Sequence, residues 1–282
     1  MAFVSQNRIR LMVGAGVWLM LTLMCVSAHA SVVTLTDGSA VGTYDIDGAS
    51  PGMSLWAVDG VTHLAAHGLW VRVGNTAEIA VGSLSLVGYQ MTDTNFNFQD
   101  DTLSLRYRND VDNYVVDVEL RLDGSSSEST IFRQVRIINE GTGTLDMHLF
   151  EYFDYASAGP TEYARIENAN TIVDSGSAYI LAETSMTSGV APDKLELGDA
   201  AALLAMLTDG VPDELAGDGV GTEYAGIDGA WAAQWDVTLA PVGTGGESFV
   251  TVQQRWVSTP EPSMLIILAV GGIGALRRRL AR

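Results

Sequence analysis

Regular alternation of apolar and polar residues in the middle of the 282-residue chain constrains the fold more than any other feature. Leu103–Arg108 alternates without a break. The next stretch places aliphatic and charged residues on opposite sides, with Val116, Val118, Leu120 and Leu122 against Asp117, Glu119 and Arg121. Because side chains alternate across a β-strand, the pattern predicts strands with one buried face and one face in water.

The same signals predict an antiparallel hairpin and a chain built from strands. Asp123 and Gly124 break the second stretch, and Ile131–Ile138 returns alongside it. Further strands are predicted between turn signals at 32–36, 41–46, 53–58, 69–73, 78–81, 84–91, 144–154, 177–183, 231–239 and 248–257. The predicted fold class is all-β, an antiparallel β-sandwich or a jelly-roll-like fold.

One short helix interrupts this pattern. Asp199 is the predicted N-cap of the Ala- and Leu-rich run 200–207. The stretch 208–229 is rich in Gly and Asp, and it is predicted to form a long loop or crossover.

The N-terminus has the three parts of a secretory signal peptide. These are Arg8 and Arg10, the apolar stretch Leu11–Val26, and Ala28 and Ala30 at the −3 and −1 positions of a cleavage site before Ser31. The apolar stretch is shorter than the roughly 20 residues that span a bilayer, which favours cleavage over retention as a membrane anchor. An N-terminal signal helix that is removed on export is therefore expected.

The C-terminus combines a proline motif, a short apolar run and a basic end. These are Pro260, Glu261 and Pro262, then Met264–Leu276, then Arg277, Arg278, Arg279 and Arg282. The prolines end the preceding structure and hold the chain extended, and the apolar run can insert in a membrane as a short helix. Arginines stay on the cytoplasmic side, so both ends of the chain predict an exported body.

This tail resembles the PEP-CTERM sorting signal of Gram-negative bacteria, over residues 260–282. The resemblance implies that an exosortase, a membrane transpeptidase-like enzyme, recognises Pro260, Glu261 and Pro262 and processes the tail. An ordinary membrane anchor is the alternative, but it needs neither the motif nor so short an apolar run. The family occurs mostly in bacteria that make exopolysaccharide, so the resemblance implies a cell-surface or matrix destination. The body resembles other PEP-CTERM proteins only loosely.

The predicted organisation is a signal peptide (1–30), one exported β-sandwich domain (31–259) and a sorting tail with a short transmembrane helix (260–282). The domain holds 33 of the 34 acidic residues but nine of the 15 Lys and Arg, which gives it a net charge of about −24. So acidic a surface argues against a nucleic-acid partner. The only cysteine, Cys25, lies in the signal peptide, which excludes a disulfide scaffold.

The segment 148–155 is dense in aromatic residues and is the candidate carbohydrate-binding site. As a strand it places four residues on one face, namely His148, Phe150, Tyr152 and Asp154. Aromatic rings stack on sugars and carboxylates bind their hydroxyl groups, so this face suits an exopolysaccharide. The alternative is a central strand that is buried on both sides.

His63 and His67 are candidate metal ligands, with His148 as a third. Their spacing matches H-x-x-x-H, but a zincin needs Glu after the first histidine, and the chain has Leu64 there. The alternative is that these are partly buried histidines on a strand.

Calcium is the one cofactor that the acidic composition favours, and no other is expected. Two clusters are candidates, Asp45 with Asp47 at a turn, and Asp209, Asp213 and Asp218 in the long loop. Calcium takes 6–8 oxygen ligands, and neither cluster completes the D-x-[DN]-x-[DN]-G pattern. Solvated acidic loops are the alternative.

The sequence carries no motif of a known catalytic class. A cysteine nucleophile in the mature chain, G-x-S-x-G, a P-loop and a Rossmann fingerprint are all missing, so an enzyme is not expected. The sequence predicts an exported surface or matrix protein with a structural or adhesive role. Its expected partners are signal peptidase, an exosortase and an exopolysaccharide. The alternatives are a carbohydrate-binding module and a secreted polysaccharide-active enzyme.

Overall fold

The computed structural model describes residues 31–48, 52–125, 128–156, 162–176, 179–189, 191–226, 228–244 and 248–258. The predicted signal peptide and nearly all of the sorting tail lie outside these residues. They include Ala28, Ala30, Pro260, Glu261, Pro262 and the terminal arginines. Ser31, the predicted first residue of the mature chain, is the first one described. The described part contains no helix with the length and apolarity needed to cross a membrane.

Strands dominate the described part, together with one α-helix and one 3-10 helix (Val81–Ser83). The strands before residue 110 are β1 (Val32–Asp37), β2 (Ala40–Asp45), β3 (Gly52–Val58), β4 (Val61–Thr62), β5 (Leu64–Val73), β6 (Ile79–Ala80), β7 (Ser85–Thr92) and β8 (Thr102–Asn109). The following strands are β9 (Tyr114–Gly124), β10 (Glu128–Asn139), β11 (Leu145–Tyr155), β12 (Glu162–Asn168), β13 (Thr171–Gly176) and β14 (Tyr179–Gly189). The last elements are β15 (Lys194–Asp199), α1 (Ala200–Met206), β16 (Glu223–Gly226), β17 (Gly229–Leu239) and β18 (Ser248–Ser258).

The strands form three sheets, and every pairing between them is antiparallel. The sheet orders are β1-β2-β3-β4, β16-β12-β13-β14-β18-β10-β9-β8-β7 and β15-β17-β11-β5-β6. The predicted hairpin is the pair β9 and β10, with Val118 opposite Val135. The predicted all-β, antiparallel class is confirmed.

The nine-stranded and five-stranded sheets enclose one apolar core, which makes the domain a sandwich. Its members come from both sheets, such as Val116, Val118, Leu120 and Leu122 of β9, Leu149 and Phe153 of β11, and Trp231 and Trp235 of β17. On β9 the intervening Glu119 and Arg121 are exposed. The alternation in the sequence therefore identifies the buried face of this strand correctly.

A smaller apolar core lies on the other side of the five-stranded sheet, beneath α1. Trp70 and Phe150 of the sheet pack with Leu203 of the helix. Asp199 caps α1 as predicted, because the backbone N–H of Ala202 donates to its carboxylate at 3.0 Å. Both faces of β11 are consequently covered over most of its length.

Five strands were not predicted from the sequence, namely β4, β12, β13, β15 and β16. The prediction of a continuous loop over 208–229 is wrong at Glu223–Gly226, which pairs with β12 as β16. These segments are short and mix polar with apolar residues, and neighbouring strands supply the hydrogen bonds that hold them extended.

Candidate functional site

An open groove of about 490 Å³ crosses the outer face of the nine-stranded sheet over β7, β8, β9 and β10. The strand registers align the groove residues in two adjacent rows. The first row is Gln90, Ser104, Glu119 and Gln134, and the second is Gly88, Arg106, Asp117 and Arg136. Neighbouring strands are about 4.8 Å apart, so each row is about 14 Å long. This face is polar because alternate residues of these strands point away from the core.

One ion pair fixes the middle of the groove. Arg106 donates from Nε and Nη2 to the two carboxylate oxygens of Asp117, at 2.7 and 2.8 Å. This hydrogen-bonded carboxylate raises the pKa of the Arg106 guanidinium above its ordinary value. Among the residues that the structure describes, five polar side chains of the two rows have no hydrogen bond or ion pair to protein, namely Gln90, Ser104, Glu119, Gln134 and Arg136. Their donors and acceptors are available to a ligand.

Arginines are concentrated on this face. Four of the nine Lys and Arg residues within 31–259 lie on the outer side of β8, β9 and β10, namely Arg106, Arg108, Arg121 and Arg136. The guanidinium of Arg121 lies 5.3 Å from the ring centroid of Phe132. In a strongly acidic domain, this face therefore combines cations with carboxylates within one surface.

A second cavity, of about 530 Å³, lies at the covered side of the five-stranded sheet. Trp70, Tyr152, Leu204 and Leu207 contribute an apolar lining. The polar groups here already have partners. Tyr152 donates its hydroxyl to the carbonyl of Ala200 at 3.1 Å. This cavity offers fewer available hydrogen-bonding groups than the groove.

A buried polar cluster of His67, Arg133 and Glu151 lies between the two large sheets. His67 Nε2 is 3.3 Å from Glu151 Oε1, and the Arg133 guanidinium contacts both side chains. The backbone N–H of Met53 donates to His67 Nδ1 at 3.3 Å. Arg133 and Glu151 have fully buried side chains and join the two sheets, whereas His67 also lines the second cavity. The sequence analysis missed it, although Arg133 occupies an inward position in the alternation of β10.

The candidate carbohydrate-binding residues share one face of β11, as alternation requires, but α1 and the loop after it cover that face. Phe150 is 0% exposed and Tyr152 is 1% exposed. His148 is half-buried, with Nδ1 2.6 Å from Asp236 Oδ1. Burial, together with the nearby charge of Asp228, raises the pKa of Asp154 to about 7. Of the four, Tyr152 is the one that lines the second cavity.

The three candidate metal-binding histidines do not meet. His63 precedes β5 and is buried, with its ring centroid 6.4 Å from that of Trp56, and burial lowers its pKa to about 4. His67 contacts Glu151 on the core side of the five-stranded sheet, whereas His148 is on the opposite side.

The acidic residues proposed as calcium ligands mostly accept hydrogen bonds from backbone N–H groups or lie apart from one another. Asp209 accepts the N–H of Val211 at 2.7 Å, and Asp218 accepts the N–H of Leu197 at 2.8 Å. Burial raises the pKa of the Asp213 carboxyl above its ordinary value. Asp45 and Asp47 flank the end of β2. Over the described ranges, no group of three or more His, Cys, Asp or Glu is placed to hold a metal ion.

Comparison with solved structures finds related architectures at low sequence identity. A galactose mutarotase related enzyme from Lactobacillus acidophilus matches with a TM-score of 0.53 and 4% identity, over 82% of this chain and 99% of that one. The Slr1438 protein from Synechocystis sp. PCC 6803 matches with a TM-score of 0.51 and 12% identity, over 82% and 97%. A bacterial glucoamylase complexed with acarbose matches with a TM-score of 0.53 and 11% identity, over 88% of this chain but 35% of that one. These likenesses show a shared β-sandwich fold.

The tail gives the one match at the level of sequence families. No curated protein matches the chain significantly. The family model of the PEP-CTERM protein-sorting motif matches residues 258–279, which confirms the resemblance of the tail. This motif implies export, transient anchoring in the membrane and processing by an exosortase. The chain therefore carries a PEP-CTERM sorting signal at its C-terminus.

Proposed function

We propose that the exported domain binds carbohydrate, an exopolysaccharide chain at the cell surface or in the matrix, and that it does so without catalysis. The observation that carries the proposal is the pair of polar rows across the nine-stranded sheet, in which five side chains have hydrogen-bonding groups available to a ligand. Each sugar hydroxyl both donates and accepts, and amide, carboxylate and guanidinium groups together meet both needs.

The groove suits a chain better than the covered cavity does. It is open and lies on exposed strands, so a long polymer can approach it without any rearrangement of the fold. Its central pair, Arg106 and Asp117, is already joined, so these two side chains lose little further conformational entropy when a ligand binds. An adhesive role in a matrix follows from binding of this kind.

The comparisons support this proposal at the level of the fold. Two of the similar structures are a galactose mutarotase related enzyme and a glucoamylase complexed with acarbose, whose names indicate sugar chemistry. A fold alone does not carry an activity, so the argument for this chain depends on its groove.

The test compares groove variants of the full chain in affinity electrophoresis through gels that contain the exopolysaccharide of the source bacterium. Glu119→Ala combined with Gln134→Ala is expected to weaken retention about tenfold, because hydrogen bonds to charged and amide groups are lost at an exposed site. The matched control is Glu167→Ala, which removes an exposed glutamate of β12 outside the groove. Tyr152→Ala is unsuitable, because this side chain is buried and its truncation would disturb folding.

Three outcomes would count against the proposal. The wild-type chain could pass through the gel without retention, or the control could lose retention as strongly as the groove variant. Shortening of the polysaccharide during incubation would instead indicate a polysaccharide-active enzyme.

A further inference from the structure

The loop between β7 and β8 presents two phenylalanine side chains to solvent. Phe96 is 85% exposed and Phe98 is 100% exposed. Both residues have left-handed backbone conformations, with φ of 62° and 67°. Such conformations are unfavourable for residues with a side chain, so the surrounding loop must hold them in place.

A set of side-chain hydrogen bonds holds the loop. The backbone N–H groups of Phe96 and Phe98 donate to the carboxylate of Asp93, at 2.6 and 2.8 Å. The side-chain amides of Asn95 and Asn97 donate to Asp37, at 2.8 and 2.7 Å. The polar groups of the loop are thus directed inward, while the two rings are held outward.

This loop lies at the end of the nine-stranded sheet where β18 ends. The strand registers follow that end across the sheet. Ser258 of β18 lies opposite Glu128 of β10, and Ser129 of β10 lies opposite Gly124 of β9. Arg121 of β9 lies opposite Thr102 of β8, which in turn lies opposite Thr92 of β7. Strands β18 and β8 are separated by β10 and β9, which is about 14 Å at ordinary strand spacing. The two phenylalanines therefore lie at the same end of the sheet as Ser258, the last residue that the structure describes.

The sorting tail begins at that point. The sorting motif matches residues 258–279, and the apolar run of the tail starts at Met264. Met264 lies six positions after Ser258, and a chain of six residues reaches at most about 22 Å when fully extended. While the tail is inserted, the membrane surface is consequently close to this end of the sheet.

We propose that the loop 93–101 is a membrane contact, in which Phe96 and Phe98 enter the interface of the leaflet on the exported side while the tail is anchored. Exposed aromatic rings that enter the headgroup region bind membranes by burying apolar surface. The contact would orient the domain over the membrane during processing of the tail.

The charges at this end determine which lipids fit. Asp100, Asp123 and Glu128 are exposed near the loop or at the adjacent strand ends, and they outnumber the one exposed cation that the structure describes there, Arg121, which pairs with Asp123. These carboxylates are repelled by a negative surface, so the contact is expected on zwitterionic lipid and is weakened by anionic lipid.

The test measures how deeply the loop enters the bilayer in the full chain. A nitroxide is attached at Phe98→Cys in a Cys25→Ser background, and the protein is reconstituted through its tail into phosphatidylcholine vesicles. The matched control is the same label at Val111→Cys, an 87% exposed site in the turn between β8 and β9 at the opposite end of the sheet. The ratio of oxygen to nickel accessibility is expected to be several-fold higher at position 98 than at position 111.

A second variant tests the ring that remains in the labelled protein. Phe96→Ser is expected to reduce the immersion of the label at position 98, and replacing a third of the lipid with phosphatidylglycerol is expected to do the same. Equal water exposure at positions 98 and 111 would overturn the proposal. Protection of position 98 by added polysaccharide, without vesicles, would assign the loop to sugar instead. None of these substitutions touches the groove, so this result and that of the groove test are independent.

Discussion

The outer faces of the two large sheets differ, although both sheets pack on the same core. Over β7, β8, β9 and β10 the outer face of the nine-stranded sheet is open and carries rows of charged and amide side chains. The outer face of the five-stranded sheet is apolar and lies beneath α1 and the loop that follows it. The difference follows from the sequence pattern, because β9 alternates from Val116 to Leu122 whereas β11 is buried at every position from Leu149 to Tyr155.

Two phenylalanines make this comparison quantitative, because each has an arginine over its ring. Arg72 lies 5.3 Å from the ring centroid of Phe150, and Arg121 lies 5.3 Å from that of Phe132. Phe150 is fully buried beneath α1, whereas Phe132 is half-buried on the open face. The cation–π geometry is shared, so the two sites differ mainly in burial.

The largest expected effect is on the stability of the covered face. Phe150→Ala should lower the free energy of unfolding by about 3–5 kcal/mol, because it leaves a cavity between the sheet and α1. Phe132→Ala should cost about 1 kcal/mol or less, since its ring is already partly in water. Urea unfolding followed by tryptophan fluorescence measures both. Equal losses would mean that the helix does not seal its face of the sheet.

The next effect is a pH dependence that arises from Asp154 on the covered face. Its folded-state pKa is about 7, chiefly because burial disfavours the charged form. Between the ordinary carboxyl pKa and pH 7, the folded state keeps a proton on Asp154 that the unfolded state has lost. The contribution of Asp154 to the free energy of unfolding is therefore full at low pH and is lost as the pH rises through 7. Asp154→Asn should therefore become more stable relative to wild type between pH 5 and pH 8, by no more than about 4 kcal/mol.

The measurement is the difference in melting temperature between wild type and Asp154→Asn across that range. His63 titrates in the opposite sense, because its lowered pKa makes stability rise with pH between about 4 and its ordinary value. His63 is present in both proteins, and its contribution cancels in the difference. A difference that stays constant from pH 5 to pH 8 would contradict the raised pKa of Asp154.

Much of the fold could be predicted from the sequence because burial in a sandwich follows a period of two. Alternation identified the buried and exposed faces of β9, and cap chemistry identified Asp199 at the start of α1. Strands such as β15 and β16 could not be predicted, because they are short and their extended form depends on pairing with distant strands. The aromatic face of β11 could be either a carbohydrate-binding surface or a buried one, and the structure favours the buried one.

The candidate site was less predictable than the strands that carry it. Glu119 and Arg106 could be placed on outward faces, but their alignment with Gln134 and Asp117 depends on strand register, which alternation alone does not fix. The exposed phenylalanines of the loop 93–101 gave no periodic signal, because their outward position depends on hydrogen bonds that the loop donates to the carboxylates of Asp93 and Asp37. Residues brought together by long-range pairing are therefore the part that sequence patterns miss.

The smallest expected effect is on the open face, at the pair Arg106 and Asp117. Its hydrogen bonds are short and bidentate, but both side chains are partly in water, with 53% and 26% of their surfaces exposed. A double-mutant cycle with Arg106→Ala and Asp117→Ala should give a coupling of about 0.2–1 kcal/mol, which falls as salt screens the charges. Urea unfolding at low and high sodium chloride measures it. A coupling above about 2 kcal/mol that persists in high salt would mean that this face is desolvated, and the groove could not then be an open surface for a hydrated polymer.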